Sequence, residues 1–169
     1  MGKIRFLVMD VDGTLTDGKI YVGNSGEVFK AFDIKDGYGI HDILPQLGIE
    51  PIIITGRESQ IVANRCKELG ITEIHQGCRA KLEKLKEILI AYGQKDNAIY
   101  DLSNVAYIGD DVLDLPCIEA IKENAGVSAC PADAADEVLA VVDYKCKRHA
   151  GNGAVREFIN ILAGQQLRV

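Results

Sequence analysis

Short apolar runs alternate with amphipathic patterns along this chain. Continuous apolar runs predict buried strands at 4–9, 51–55, 105–109, 126–130 and 140–144, and a shorter run predicts a strand at 73–77. Between them, apolar residues spaced three or four apart predict helices at 39–48, 59–70, 79–93, 112–125 and 152–164. Strands separated by helices indicate an α/β chain with a parallel sheet covered on both faces.

Residues 19–32 follow a different pattern. Two alternating segments flank the turn sequence GNSG and predict a β-hairpin. Pro45 lies within a predicted helix and should kink or shorten it. No repeat, low-complexity tract or linker interrupts the sequence, so we predict one domain over 1–169.

Composition and charge narrow the functional classes. The net charge of −6, without a basic stripe, argues against a nucleic-acid partner. No apolar run approaches the roughly 18 residues of a membrane span, and the N-terminus lacks a signal-peptide pattern. The five cysteines form no CxxC pair and are odd in number, so we expect buried thiols in a reducing cytoplasm.

Polar residues that are candidates for binding or catalysis follow the ends of three predicted strands. In a parallel sheet, ligands bind beyond the carboxyl ends of the strands, so these residues should meet at one edge. They are Asp10 and Asp12 after the first strand, Thr55 and Gly56 after the second, and Asp110, Asp111 and Asp114 after the third clear strand.

Several carboxylates in one crevice repel each other unless protons or a cation compensate. Oxygen ligands without a nearby His or Cys favour Mg²⁺. With Mg²⁺ and Lys81 present, Asp10 could attack a phosphate to give an aspartyl-phosphate. Asp12 could then protonate the leaving alcohol and later deprotonate the hydrolytic water.

The ordered motifs "DVDGT", "ITGR", a lysine and "GDDVLD" resemble the haloacid dehalogenase superfamily of phosphatases. The resemblance implies a Rossmann-like doubly wound parallel sheet, with a hairpin insertion at about 17–34 instead of a cap domain. The segments "FDIKDGYGI", "LGITEIHQG" and "GNGAVREF" resemble the capless subfamily, which acts on phosphorylated sugar acids.

This resemblance implies roles for the acidic residues. Asp10 would be the nucleophile and a Mg²⁺ ligand. Asp12 would be the general acid and base and would bind the metal through its backbone carbonyl. Asp110 would be the third protein ligand of the metal.

The resemblance also implies the surroundings of the phosphate. Thr55, Gly56 and Lys81 would bind the phosphate group. Asp111 and Asp114 would orient Lys81 or the waters on the metal. A lysine on a helix, or an aspartate at position 114, is also compatible with an ordinary solvated surface.

Two arginines are candidate substrate ligands. Arg57 could pair with the carboxylate of a sugar acid. The resemblance implies a homotetramer in which hairpins from four subunits associate and a neighbour closes each site. Arg156 and the segment 151–153 would belong to that closure.

The expected function is a cytoplasmic, Mg²⁺-dependent sugar-acid phosphatase. The expected substrate is 3-deoxy-D-manno-octulosonate 8-phosphate, which links the chain to lipopolysaccharide biosynthesis. One alternative is a nine-carbon, sialic-type sugar-acid 9-phosphate. A phospho-accepting receiver, which also uses Asp, Thr, Lys and Mg²⁺, and a catalytically silent oligomerisation domain are further alternatives.

Overall fold

The computed structural model describes residues 3–166 of the chain. Its strands are β1 (Phe6–Met9), β2 (Tyr21–Gly23), β3 (Gly26–Phe29), β4 (Glu50–Ile54), β5 (Glu73–His75), β6 (Val105–Ile108), β7 (Val127–Cys130) and β8 (Tyr144–Lys145). Six of them form one parallel sheet in the order β5-β4-β1-β6-β7-β8. The remaining two, β2 and β3, pair as an antiparallel hairpin outside that sheet.

Helices cover both faces of the sheet. They are α1 (Ile34–Tyr38), α2 (Leu44–Leu47), α3 (Gln60–Glu68), α4 (Lys81–Asp96), α5 (Leu115–Glu123), α6 (Asp136–Val141) and α7 (Ala154–Gln166). One core packs α2, α3 and α7 on the sheet, and the other packs α4, α5 and α6. The predicted α/β, doubly wound fold is therefore confirmed. Across the described residues, none of the helices combines the length and the apolar character needed to span a bilayer.

Pro45 divides the predicted helix 39–48. A π-helical turn, Gly39–Ile43, precedes α2, and Pro45 lies in the first turn of α2. A proline fits there because the first turn of a helix needs no amide donor. Gly48, at φ +66°, ends the helix in the left-handed conformation.

The strand predicted at 140–144 is wrong. Residues up to Val141 belong to α6, and β8 contains only Tyr144–Lys145. A short apolar run does not distinguish a buried strand from a buried helix by periodicity alone. Here Val138 buries its side chain fully against the α4–α6 core, which favours the helix.

Asp36 joins α1 to the start of α7. Its Oδ1 accepts the amide of Arg156 at 2.7 Å, and its side chain is almost fully buried. Burial raises the pKa of Asp36 to about 6. Asp33 also raises it, whereas the amides of Arg156 and Gly153 and the charge of Arg148 lower it. The folded chain therefore binds this proton more tightly than the unfolded chain does.

We expect this carboxyl group to lower stability as the pH rises. Its contribution to the free energy of unfolding is complete below pH 3.8 and is lost as the pH rises through about 6. Between about pH 5 and about pH 7.5, the wild type should lose about 1.4 kcal/mol more than Asp36→Asn in the free energy of unfolding. Urea unfolding of both proteins at equal concentration measures this difference, and parallel pH profiles would contradict it.

Candidate active site

The three central strands end side by side. Met9, the last residue of β1, pairs in parallel register with Ile53 of β4 and Ile108 of β6. The amide of Asp10 donates to the carbonyl of Ile108 at 3.1 Å, so the strand pairing continues one residue further. The loops after β1, β4 and β6 therefore emerge together at the carboxyl edge, where parallel sheets bind ligands.

A tight turn after β1 packs directly against Asp110. The amides of the three residues after Gly13 point at the carbonyl of Val11, at 3.2, 2.9 and 3.0 Å. Gly13 has φ +91°, and a Cβ at this position would lie 2.0 Å from Asp110 Oδ2, so the turn requires glycine. The Thr14 hydroxyl donates to Asp110 Oδ1 at 2.9 Å, which fixes the orientation of that carboxylate.

Asp114 is fully buried and both of its carboxylate oxygens are hydrogen-bonded. Its Oδ1 accepts from Lys81 Nζ at 2.7 Å and from the Tyr107 hydroxyl at 2.6 Å. Its Oδ2 accepts from the amides of Asp110 and Asp111 at 3.0 and 3.2 Å. Asp114 thus joins the lysine to the loop that carries Asp110.

Lys81 is the first residue of α4, and it extends into the site rather than into solvent. Its Nζ lies 3.1 Å from Asp10 Oδ1, and its side chain is 2% exposed. Burial opposes the charged ammonium, but Asp10 and Asp114 outweigh it and raise the pKa of Lys81. Lys81 is therefore a permanent cation beside Asp10, at the place where a phosphate dianion needs one.

The candidate site holds more negative charge than Lys81 can compensate. Burial raises the pKa of Asp10; Lys81 opposes this and Asp114 adds to it. Burial, followed by the negative charge of Asp10, raises the pKa of Asp110 to about 7. Carboxylates this hard to ionise together are typical of a site that a cation completes.

The residues present fit a divalent cation with oxygen ligands. Carboxylate oxygens of Asp10, Asp110 and Asp114 lie within 4.8 Å of one another. Asp114 is a poor ligand because Lys81, Tyr107 and two amides already occupy both of its oxygens. The better ligands are the carboxylates of Asp10 and Asp110, with the backbone carbonyl of Asp12 as the expected third group. Such a donor set matches Mg²⁺.

Thr55 and Gly56 follow β4 at the same edge. Thr55 is buried, and its amide and carbonyl bond the backbone of His75 and Cys78, each at 2.9 Å. These two backbone bonds hold the loop rigidly beside β5. Ser59 caps α3 through its side chain.

A polar network that the sequence did not predict connects the hairpin to this loop. The ammonium of Lys30 donates to Asp12 Oδ1 and lies 2.9 Å from Glu27 Oε1. The hydroxyl of Ser59 in turn donates to Glu27. Arg57 Nε lies 3.6 Å from Asp12 Oδ2. Nothing in the alternation of the hairpin distinguishes Lys30 from an ordinary surface lysine, so the sequence offered no signal for it.

The charges of this network support one another. Burial opposes the charge of Lys30, but the contacts with Asp12 and Glu27 raise its pKa above the ordinary value. The hydroxyl of Ser59, followed by Lys30 and Arg57, lowers the pKa of Glu27. Lys30 and Glu27 therefore each favour the charged form of the other.

Three predicted residues lie at the periphery. The Arg57 guanidinium is half exposed beside Asp12. Asp111 is exposed, and its carboxylate accepts the amide of Val112 to cap a 3-10 turn instead of contacting Lys81. Arg156 stacks its guanidinium 4.9 Å from the Tyr38 ring, on the face of α7 that meets α1. In the described chain, therefore, Arg156 is not brought to the aspartates.

Known proteins resemble the chain along nearly its whole length. No protein-family model matches it. The 3-deoxy-D-manno-octulosonate 8-phosphate phosphatase KdsC of Escherichia coli (strain K12) is 43% identical over 160 residues, which cover 95% of this chain and 79% of that protein.

Solved structures agree in fold. The 3-deoxy-D-manno-octulosonate 8-phosphate phosphatase of Moraxella catarrhalis, in complex with a magnesium ion, a phosphate ion and KDO, has a TM-score of 0.84 at 39% identity. That match covers 98% of this chain and 88% of that chain. A Legionella pneumophila structure, described as a HAD superfamily (subfamily III A) hydrolase, has a TM-score of 0.87 at 33% identity and covers 98% of this chain and 85% of that chain.

Proposed function

Because the chain belongs to the 3-deoxy-D-manno-octulosonate 8-phosphate phosphatases of the haloacid dehalogenase superfamily, we propose that it hydrolyses this phosphorylated sugar acid with Mg²⁺. The observation that carries the proposal is the buried Asp10, which lies 3.1 Å from the Lys81 ammonium at the carboxyl edge of the sheet. This arrangement offers a nucleophile and a phosphate ligand at one place.

Asp10, Asp110 and the carbonyl of Asp12 would hold the metal ion. When bound, Mg²⁺ neutralises these carboxylates and polarises the phosphate, so that an anionic nucleophile can approach a phosphate dianion. Thr14 supports this assignment because its hydroxyl holds the Asp110 carboxylate in a fixed orientation.

The first chemical step forms an aspartyl-phosphate. Lys81, Thr55 and Gly56 hold the phosphate oxygens while an oxygen of Asp10 forms a bond to phosphorus. The bond between phosphorus and the sugar oxygen breaks, and its electron pair stays on that oxygen. The carboxyl group of Asp12 supplies the proton that turns this oxygen into the alcohol.

The second step releases inorganic phosphate. The Asp12 carboxylate takes a proton from water, whose oxygen forms a bond to phosphorus as the bond between phosphorus and Asp10 breaks. The electron pair of the broken bond returns to the Asp10 carboxylate. Both residues are then restored for the next cycle.

The sugar-acid carboxylate would pair with Arg57. Its half-exposed guanidinium borders Asp12, so it lies at the mouth of the site. A guanidinium can bind a carboxylate through two parallel hydrogen bonds.

We further propose that the hairpins assemble four chains into a homotetramer. The hairpin exposes large apolar side chains, with Val22 at 69%, Val28 at 57% and Phe29 at 49%. Exposed apolar area of this kind favours burial in an interface. Arg156 and the segment 151–153 would then act on a neighbour's site, and sedimentation equilibrium would measure the mass of the assembly.

A reducing cytoplasm is the proposed compartment. All five cysteines are free, and four of them are buried. Burial raises the pKa of these thiols, to about 11 for Cys66 and about 12 for Cys117, so they behave as apolar residues rather than reactive ones.

A steady-state screen tests the proposed function. We expect the eight-carbon 8-phosphate to exceed nine-carbon sugar-acid 9-phosphates in kcat/KM by about 10-fold or more. EDTA should lower turnover by at least about 100-fold, and added Mg²⁺ should restore it.

Each other outcome of the screen supports an alternative. A preference for nine-carbon esters would indicate that the substrate is a nine-carbon sugar-acid 9-phosphate. Complete inactivity on phosphate esters would indicate a catalytically silent domain. A phosphoryl label from acetyl phosphate that persists for minutes would favour a receiver.

A further inference from the structure

Lys30, directly after β3, is a buried cation, and its side chain is 1% exposed. A lysine is rarely buried to this extent unless carboxylates offset the cost of removing its charge from water. Its two partners are carboxylates of Asp12 and Glu27, and Asp12 belongs to the loop after β1. Packing within the hairpin alone does not explain this burial.

Glu27 holds Lys30 in place from the other side. Its carboxylate accepts the hydroxyl of Ser59, the residue that caps α3, and lies 2.9 Å from the Lys30 ammonium. The start of α3 is therefore connected through Glu27 and Lys30 to Asp12. Each member of this chain of contacts is fixed by the next, so Lys30 has little freedom to move.

Lys30 contacts only one oxygen of Asp12. The ammonium donates to Oδ1, whereas Arg57 Nε is 3.6 Å from Oδ2, which is too long for a hydrogen bond. Holding Oδ1 determines where Oδ2 points, and it leaves Oδ2 as the oxygen able to exchange a proton.

We propose that Lys30, supported by Glu27, is a positioning residue that holds the Asp12 carboxyl group in the orientation that proton transfer requires. The inference rests on the proposed function, in which Asp12 protonates the leaving oxygen. In that step the O–H bond of Asp12 breaks and an O–H bond forms on the alcohol, while the phosphorus–oxygen electron pair stays with the alcohol oxygen. A misdirected carboxyl group slows this transfer and leaves phosphate binding intact.

The dependence on the leaving group separates this role from a structural one. Phenol is a weaker acid than p-nitrophenol, so phenyl phosphate needs the proton from Asp12 far more than p-nitrophenyl phosphate does. Both esters are similar in shape, and kcat/KM reports the steps up to cleavage of the phosphorus–oxygen bond. The ratio of the two kcat/KM values from one preparation does not depend on the folded fraction.

We expect Lys30→Met to lower kcat/KM for phenyl phosphate by about 30-fold and for p-nitrophenyl phosphate by less than about 3-fold. The sugar-acid 8-phosphate should follow phenyl phosphate. Glu27→Gln should shift the ratio of the two kcat/KM values in the same direction but by a smaller factor. Lys30→Arg should bring this ratio most of the way back to the wild-type value. Lys19→Met, which removes an exposed lysine of the same hairpin region, is the matched control and should leave the ratio unchanged.

The decisive comparison is between the two aryl esters. If both esters lose activity equally, or neither does, in Lys30→Met and in the polar variant Lys30→Gln, the positioning role is wrong. If the wild type hydrolyses aryl phosphates but not the sugar-acid phosphate, the proposed substrate is wrong. The comparison of the two aryl esters still tests the role of Lys30 in that case. A wild type inactive on all esters would overturn the phosphatase itself.

Discussion

Asp10→Asn should lower kcat by about 10⁴-fold or more, because an amide cannot attack phosphorus and no aspartyl-phosphate forms. The change is nearly isosteric in a buried site, and Lys81 keeps Asp114 as its partner at 2.7 Å. We therefore expect the variant to fold and to retain phosphate affinity. Loss of turnover in a folded protein would identify the residue as the nucleophile rather than a structural element.

The measurement is steady-state hydrolysis of the sugar-acid phosphate and of p-nitrophenyl phosphate with Mg²⁺. Asp17→Asn is the matched control, since Asp17 follows on the same loop but bonds the Lys19 amide and the Tyr21 hydroxyl. Its activity should stay close to the wild type. Turnover of Asp10→Asn within tenfold of the wild type, with deamidation excluded by peptide mapping, would refute the assignment.

Asp114→Asn should impair both activity and stability. The substitution leaves Lys81 with Asp10 as its remaining carboxylate partner. It also puts a side-chain amide in place of the carboxylate that accepts from the Tyr107 hydroxyl and from two backbone amides. Removing one partner of a buried ion pair costs about 3–5 kcal/mol. Because Lys81 and the loop carrying Asp110 lose their common anchor, we also expect kcat/KM to fall by about 100-fold.

Urea unfolding and steady-state kinetics measure the two effects on the same preparation. Asp101→Asn is the control, because Asp101 is an exposed aspartate that caps a 3-10 turn before β6, at the opposite end of the strand. Because Asn caps a helix about as well as Asp, the variant should change stability by less than about 0.5 kcal/mol and leave kcat unchanged. A fully active, stable Asp114→Asn protein would show that Lys81 does not depend on this anchor.

Local patterns predicted most of the fold. The buried strands β1, β4 and β6 and the amphipathic helices α4 and α7 followed from the pattern of apolar residues. The family resemblance is confirmed by relatives above 30% identity. The segment 140–144 was predicted wrongly because its apolar run is too short to show a period. The π-helical turn before Pro45 also depends on packing that no local pattern records.

The candidate site was predicted only in part. Asp10, Thr55 and Asp110 could be chosen because each lies within two residues of a strand end, and parallel strands end at one edge. The placement of Asp111 and Asp114 differs although they belong to one motif. Asp114 lies buried on Lys81, whereas Asp111 caps a turn in solvent. The sequence does not distinguish two aspartates that are three residues apart. The fold at the start of the helix places one of them in the interior.

The sequence by itself determined the class of sheet, the edge that carries the chemistry and the carboxylates that follow its strands, because these depend on local periodicity and chain order. Only the tertiary structure decided which charges meet. Thr14 reaches Asp110 across 96 residues, and Lys30 reaches Asp12 across 18. Such contacts form only when several elements pack together. This packing removes water from the charged groups, so each buried charge depends on its partner for stabilisation.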